Sequence, residues 1–268
     1  MPFLKLKDLD LYYEVHGEGP PFLFISETAC HGEVWKTYQV PEFSRDHQVV
    51  IYDQRGSGRS GKPSVEYTTK MLADDAAALM DHLGAERAIV YGHSMGGRVA
   101  QLLALDYPQK VKKLILASSG TSHTKKGIPL KMCLDLVDKG YERYSRDHAV
   151  RIGFTKRFIE EHPEQIEKYL KVRLANLPPL ECYLRHVIAR QEHDTSERLK
   201  DIRVPTLIMV GEDEGSIESD MSHRTSADIL ARSIPSAKFV VFPDQGHSYF
   251  FAIPEATNKA IRDFLEED

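Results

Sequence analysis

A serine set between glycines is the most reactive arrangement this chain offers. Gly92-His93-Ser94-Met95-Gly96-Gly97 follows an apolar, β-branched run, Arg87 to Tyr91, and opens a helical pattern, RVAQLLALDYPQK. A strand, a tight turn of small residues and a helix is the setting in which a serine is held at a strained turn, its hydroxyl clear of the sheet edge and near the positive end of the helix. Such a hydroxyl is a weak nucleophile until a base takes its proton and a carboxylate orients that base. Among twelve histidines, His247 stands in Asp244-Gln245-Gly246-His247, just after the last expected strand. Its loop would hang over the C-terminal edge of a parallel sheet, where chemistry sits in open α/β folds. The acid belongs in Gly211-Glu212-Asp213-Glu214-Gly215, after the run at 204–210, and three consecutive acids leave it open among them. His93 is expected to pack beneath the turn; His16, His47, His82, His162 and His223 are expected to be surface or structural residues.

Those groups need a sheet to carry them, and the rest of the pattern supplies one. Residues 3–7 and 9–16 read as two antiparallel strands, closed by the turn Gly17 to Pro21. Phe22 to Ile25 and Gln48 to Tyr52 are short apolar strands of the kind covered on both faces. A helix is expected from Val34-Trp35 to Pro41. Thr68 to Leu83 is amphipathic, with Leu72, Ala76, Leu79, Met80 and Leu83 on one stripe and Gly84 as its stop. Val111 to Ala117 is the next strand. Alternating strands and helices predict parallel βαβ units. The alternation breaks at 121–200, which reads as helical throughout: 132–138, 141–149, 156–161, 163–175 and 180–191. It resumes with the strand at 204–210, a helix around 222–233, a strand at 238–242 and a terminal helix from Pro254. The expectation is one α/β core from 1–120 and 201–268, with a helical cap inserted at 121–200.

Bulk composition narrows the function classes. The 268 residues suffice for one large α/β domain with an insertion. A net charge of −5 gives no electrostatic case for nucleic acid or an anionic membrane surface. No apolar run approaches the ~20 residues that span a bilayer, and the acid-bearing N-terminus reads as strands, not as a signal peptide. Cys30, Cys133 and Cys182 are odd in number and widely spaced, which points to free thiols, a reducing compartment and a cytoplasmic location. The segment 121–200 holds 16 Lys+Arg against 12 Asp+Glu, a basic bias that suits an anionic substrate or a solvated helical face. Gly56-Ser57-Gly58-Arg59-Ser60-Gly61 matches G-x-G-x-x-G after a strand, but Lys62-Pro63 follows and no helix opens to receive a pyrophosphate. No cofactor is expected, and no HExxH, Cys-x-x-Cys or clustered His/Asp set suggests a metal.

At this level of detail the chain resembles the serine α/β-hydrolase superfamily, within it the cofactor-free esterases, enol-lactonases and C–C bond hydrolases with a helical cap. GHSMGG, DQRGSGRS, the helical insertion, PTLIMVGEDE and DQGHSYFFAIPE carry the likeness across nearly the whole chain. The resemblance implies an α/β-hydrolase fold: a mostly parallel eight-stranded sheet with helices on both faces and a cap. It also implies an acid three residues after Gly211, which is Glu214, with Asp213 as the alternative. One oxyanion-hole donor should be the amide of Met95, which follows the nucleophile. The second comes from the loop after Phe22 to Ile25, where the family has His-Gly about nine residues before a tryptophan. Counting back from Trp35 puts Ser26-Glu27 there and makes Thr28 the donor; the literal His31-Gly32 would nominate Glu33 instead. Serine at 94 argues against the aspartate-dependent epoxide hydrolases and dehalogenases of this fold.

The expectation is a serine hydrolase that cleaves a carboxylic ester or lactone through an acyl-enzyme. A C–C bond hydrolase and a slow ligand-binding receptor are its rivals. Trp35, Tyr141, Phe154, Phe158, Tyr183 and His186 are the expected pocket residues, at spacings that also suit the core of the cap. The expected partner is a small-molecule ester or lactone, with no nucleic acid or membrane, and monomer and homodimer stay equally open.

Overall fold

Strand β1 (Phe3–Lys5) and strand β2 (Asp10–His16) form an antiparallel hairpin. Next come β3 (Pro21–Ile25), a 3-10 turn at Gly32–Thr37, α1 (Gln39–Phe43), β4 (Gln48–Tyr52) and α2 (Thr69–His82). The chain continues through β5 (Ala88–His93), α3 (Met95–Asp106) and β6 (Val111–Ala117). Helices α4 (Leu130–Lys139), α5 (Tyr141–Gly153), α6 (Lys156–Glu161), α7 (Pro163–Leu174) and α8 (Leu180–Glu192) then intervene before β7 (Thr206–Gly211). Helix α9 (His223–Ser233), β8 (Ala237–Phe242), α10 (Tyr249–Ala252) and α11 (Pro254–Leu265) complete the fold. This computed structural model describes residues 3–123, 126–213, 222–235 and 237–267.

The eight strands make one sheet in the order β1-β2-β4-β3-β5-β6-β7-β8. Only β1 with β2 and β2 with β4 pair antiparallel; the other neighbours run parallel. The central strands are apolar throughout because both faces are covered, as parallel sheets require. On one face Leu23, Ile25, Val90 and Ile208 meet Leu72 and Ala76 of α2, Val99 and Leu103 of α3, and Leu230 of α9. On the other, Phe24, Tyr91 and Met209 meet Trp35, Phe43 of α1, Phe250, and Ile261 and Phe264 of α11. Parallel alignment delivers the ends of β3, β5, β7 and β8 to one edge, so the loops at 26–31, 94, 212 and 243–248 converge there.

Local chemistry fixes where the elements begin and end. Thr68 caps α2 by accepting the Met71 amide at 3.1 Å, and Thr155 and Ser222 do the same for α6 and α9. Gly84, at φ +64, ends α2. The turn after β4 is anchored by Arg55, whose Nε and Nη2 donate to Asp75 of α2 at 2.7 and 2.8 Å while Nη1 reaches Asp8 at 2.9 Å. The helix expected at 34–41 is instead the 3-10 turn followed by the short α1, and α10 was not expected. Both lie on the aromatic face, where Trp35 and Phe250 pack with ring centroids 4.8 Å apart. Contacts between distant segments, not local periodicity, shape them.

The side chains of Arg55 and Asp75 are only 5% and 6% exposed, so removing the carboxylate strands a buried cation. Asp75→Ala is expected to lower unfolding stability by about 3–5 kcal/mol. Urea titration of the two proteins checks this; a loss below about 1 kcal/mol would mean that Asp8 alone suffices for Arg55.

Candidate active site

Ser94 follows β5 directly and caps α3, with φ 56 and ψ −116, a conformation that L-residues adopt only under constraint. Three glycines permit it. A Cβ at Gly92 would lie 2.3 Å from Gly96 O, one at Gly96 2.2 Å from Ile25 O, and one at Gly97 2.5 Å from Ser119 Oγ. The turn is then pinned: the Ser94 amide donates to Ala117 O at 2.8 Å, and Ser119 Oγ donates to Ser94 O at 2.8 Å. Met95 is the first residue of α3, so its amide has no acceptor within the helix.

His247 comes from the loop after β8. Its backbone amide donates to Ile152 O at 3.1 Å and that of Ser248 to Gly153 O at 2.8 Å, so the end of α5 holds this loop. Gly246 makes room, since a Cβ there would lie 2.7 Å from Gly153 O. Ser94 and His247 line one cavity of about 70 Å³, together with Thr28, Tyr141 and Tyr183. Of the two acid candidates, Asp213 is exposed and its amide donates to Gln245 O at 3.0 Å. Among the described residues no bond joins its carboxylate to His247. Glu214 lies outside the described residues.

The loop after β3 runs along the same cavity. Ser26 Oγ accepts the Trp35 indole N–H at 2.9 Å, and Ser26 O accepts from Gln54 Nε2 at 2.9 Å. Ala29 sits at φ +52, and its amide donates to His186 Nδ1 at 3.2 Å. Since His186 Nε2 donates to Arg55 O at 2.7 Å, one neutral tautomer satisfies both bonds. From α7, Arg173 Nε donates to Glu27 Oε1 at 2.7 Å and Nη2 to Thr28 O at 3.1 Å. The insertion thus holds three consecutive residues of this loop.

Four of the expected pocket residues lie in packed surroundings away from the cavity. Trp35 is 1% exposed and belongs to the aromatic core, and Phe154 packs on Phe158 and Tyr169 inside the same cluster. His186 is fully buried between two loops. Trp35, Phe154, Phe158 and His186 do not line the cavity, because apolar rings at helical spacing are spent on packing the insertion against the core. His223, expected to be structural, lines the cavity instead, with its ring 4.5 Å from that of His247. Gly56 to Gly61 forms turns around Asp53, whose carboxylate accepts the amides of Gly32 and Arg59 at 2.7 Å; α2 opens only at Thr69.

Glu27 and Arg173 are the site residues that sequence reasoning passed over. The signal for Glu27 was an acid at the place of a family glycine; Arg173 carried none, being one of many cations on amphipathic helices. Burial alone would raise the Glu27 carboxyl, but Arg173, His93 and His247 hold it down to about 2. His93, fully buried, is pushed down to about 3 by desolvation and by His247, against the pull of Glu27. Desolvation likewise lowers His186 to about 4. Glu27, His93 and His247 bring ligand-type atoms within 4.8 Å of one another. Arg173 on the same carboxylate already supplies the positive charge a cation would bring.

A family profile described as the α/β-hydrolase fold matches residues 20–252. A protein of Azorhizobium caulinodans named "Putative carbamate hydrolase RutD" is 30% identical, over 100% of this chain and 99% of that protein. The structure of Est816, titled as an N-acyl homoserine lactone degrading enzyme, superposes with a TM-score of 0.81 at 28% identity, covering 98% and 100% of the two chains. The enol-lactonase of Burkholderia xenovorans LB400 gives a TM-score of 0.86 at 24% identity over 99% and 100%, a likeness of fold alone.

His93 and His186 lie below the ~6.5 of free imidazole, so each favours folding while neutral and loses that contribution as pH falls. Glu27, below the ordinary carboxylate value, adds a loss below about pH 5. Unfolding stability is expected to fall steadily from about pH 6.5 to 4, with proton uptake on unfolding. A flat profile by denaturant titration over that interval would contradict the burial of these imidazoles.

Proposed function

The chain belongs to the α/β-hydrolase-fold family, and from that premise we propose that it is a serine hydrolase acting on a small carboxylic ester, lactone or carbamate through an acyl-enzyme. One observation carries the reading: Ser94, strained at positive φ on a strand-to-helix turn, and His247, on the loop after β8, border the same cavity. Ser94 Oγ attacks the carbonyl carbon as His247 takes its proton. The developing oxyanion is held by the amides of Met95 and Thr28. His247 then protonates the departing oxygen, leaving the acyl group on Ser94. Water, deprotonated by His247, attacks that acyl group, and Ser94 leaves with the proton returned. Glu214 is the acid that orients His247, in keeping with the exposure of Asp213 and the family spacing.

No step in this scheme needs a cofactor, and carbamates enter it because their carbonyl undergoes the same acyl transfer. A cytoplasmic setting agrees with three unpaired cysteines, and none of the described helices is long and apolar enough to cross a membrane. A C–C bond hydrolase would use the same serine and histidine, so rates on phenyl esters, lactones and a dienone separate it.

Ser94→Ala is expected to lower kcat by about 10⁶ with folding preserved, as for other serine triads. It should also abolish labelling by a fluorophosphonate. Retention of a tenth of the esterase activity would sink the mechanism. Glu214→Gln is expected to cost about 10³–10⁴ in kcat and Asp213→Asn less than tenfold; the reverse order would reassign the acid.

A further inference from the structure

The carboxylate of Glu27 is half used. Oε1 takes the Arg173 guanidinium at 2.7 Å, whereas Oε2 faces His93 Nε2 at 3.8 Å and His247 Nε2 at 3.9 Å, both beyond hydrogen-bond reach. Among the described residues nothing donates to Oε2, yet the side chain is only 12% exposed and borders the cavity. A buried, ionised acceptor with spare capacity costs stability unless water or a ligand fills it. The backbone does not require an acid at this place, since the family resemblance puts glycine there. Arg173 needs one oxygen only.

The position of Oε2 says which part of a ligand it meets. The nitrogen of His247 that hands protons to the reacting group is 3.9 Å away. A carbonyl carbon poised for attack lies about 3–3.5 Å from the serine oxygen, and its substituents are one bond further. Glu27, Ser94 and His247 border the same cavity, so a nitrogen bonded to that carbon can reach Oε2. The cavity, at about 70 Å³, admits a small group, and Thr28, Tyr141, Ser145, His148 and Ser248 give it polar walls.

We propose that Glu27 is the specificity-determining residue of this pocket, its Oε2 accepting a hydrogen bond from an N–H on the scissile carbonyl, so that small carbamates are favoured over isosteric esters. The inference rests on the acyl-transfer reading above and adds the group that selects among its substrates. Carboxylate oxygens accept and never donate when ionised. A methyl in the same place leaves Oε2 facing carbon, and an anionic substituent meets like charge.

The test compares kcat/KM for phenyl carbamate and phenyl acetate, which differ only by NH2 against CH3, in the wild-type protein and Glu27→Gln. Phenyl N,N-dimethylcarbamate, which lacks the N–H, is the third substrate. The carbamate-to-acetate ratio is expected to fall about 10- to 100-fold in the variant, the worth of a hydrogen bond to a charged acceptor, while the dimethyl-to-acetate ratio moves less than threefold. Ratios cancel any change in the fraction of competent enzyme. Should Glu27→Gln fail to fold, Glu27→Asp keeps the charge, withdraws the oxygen by one methylene and should lower the same ratio. A carbamate-to-acetate ratio within threefold of wild type, or an equal fall for both carbamates, overturns the proposal and reduces Glu27 to the partner of Arg173. Absence of turnover on every substrate, with no fluorophosphonate labelling of Ser94, would instead overturn the serine-hydrolase reading itself.

Discussion

The reversal of the chain at Ser94 is the constraint on which the rest of this edge depends. It brings the first turn of α3 so close to β3 that a single added carbon at Gly96 would overlap Ile25 O. The loop that leaves Ile25 must then start beside Ser94. A second close approach, with a Cβ at Gly211 2.3 Å from Gln245 O, fixes the loop that bears His247 against the end of β7. The convergence of serine, histidine and the candidate oxyanion loop is thus a result of backbone contacts that exclude side chains.

What the elbow does not determine is the shape of the loop from Ser26 to Gly32. Without His-Gly, Ala29 takes a positive φ that costs an L-residue free energy. Offsetting bonds come from outside the loop: Trp35 and Gln54 from the core, Arg173 and His186 from the insertion. The insertion is therefore more than a roof over the cavity. Two of its side chains bond the backbone of Thr28 and Ala29 and the carboxylate of Glu27, and the carbonyls at the end of α5 receive the amides of the His247 loop. Anything that shifts α7 or α8 is transmitted to the loop beside Ser94.

These two levels differ in how far the sequence discloses them. The strands around Ser94 and His247 are apolar runs closed by glycines, and their order follows from alternation with amphipathic helices. Helices α4 to α8 were legible because each carries its own period. The pocket was not, because the same period cannot say whether Phe154 faces a ligand or Tyr169. His186 is misleading for a related reason: a polar residue on a buried stripe reads as a pocket group, whereas it bridges Ala29 and Arg55. Pairings such as Glu27 with Arg173 span 146 residues and leave no local trace in either segment.

An acid beside the proposed oxyanion hole would ordinarily oppose catalysis, and its partner resolves the difficulty. In the proposed mechanism the transition state separates charge, positive on His247 and negative on the substrate oxygen near Thr28. Glu27 Oε2 lies 3.9 Å from His247 Nε2, and at about 4 Å opposite charges attract by ~4 kcal/mol at an effective dielectric near 20. Arg173 lies at the other end, with Nη2 on Thr28 O. The ion pair is a dipole whose negative end faces the imidazole and whose positive end faces the loop proposed to hold the oxyanion. Its orientation opposes that of the charge developing in the reaction, which is the arrangement that stabilises it. Glutamate is tolerable at position 27 only because arginine stands at 173, and the two must be read as one group.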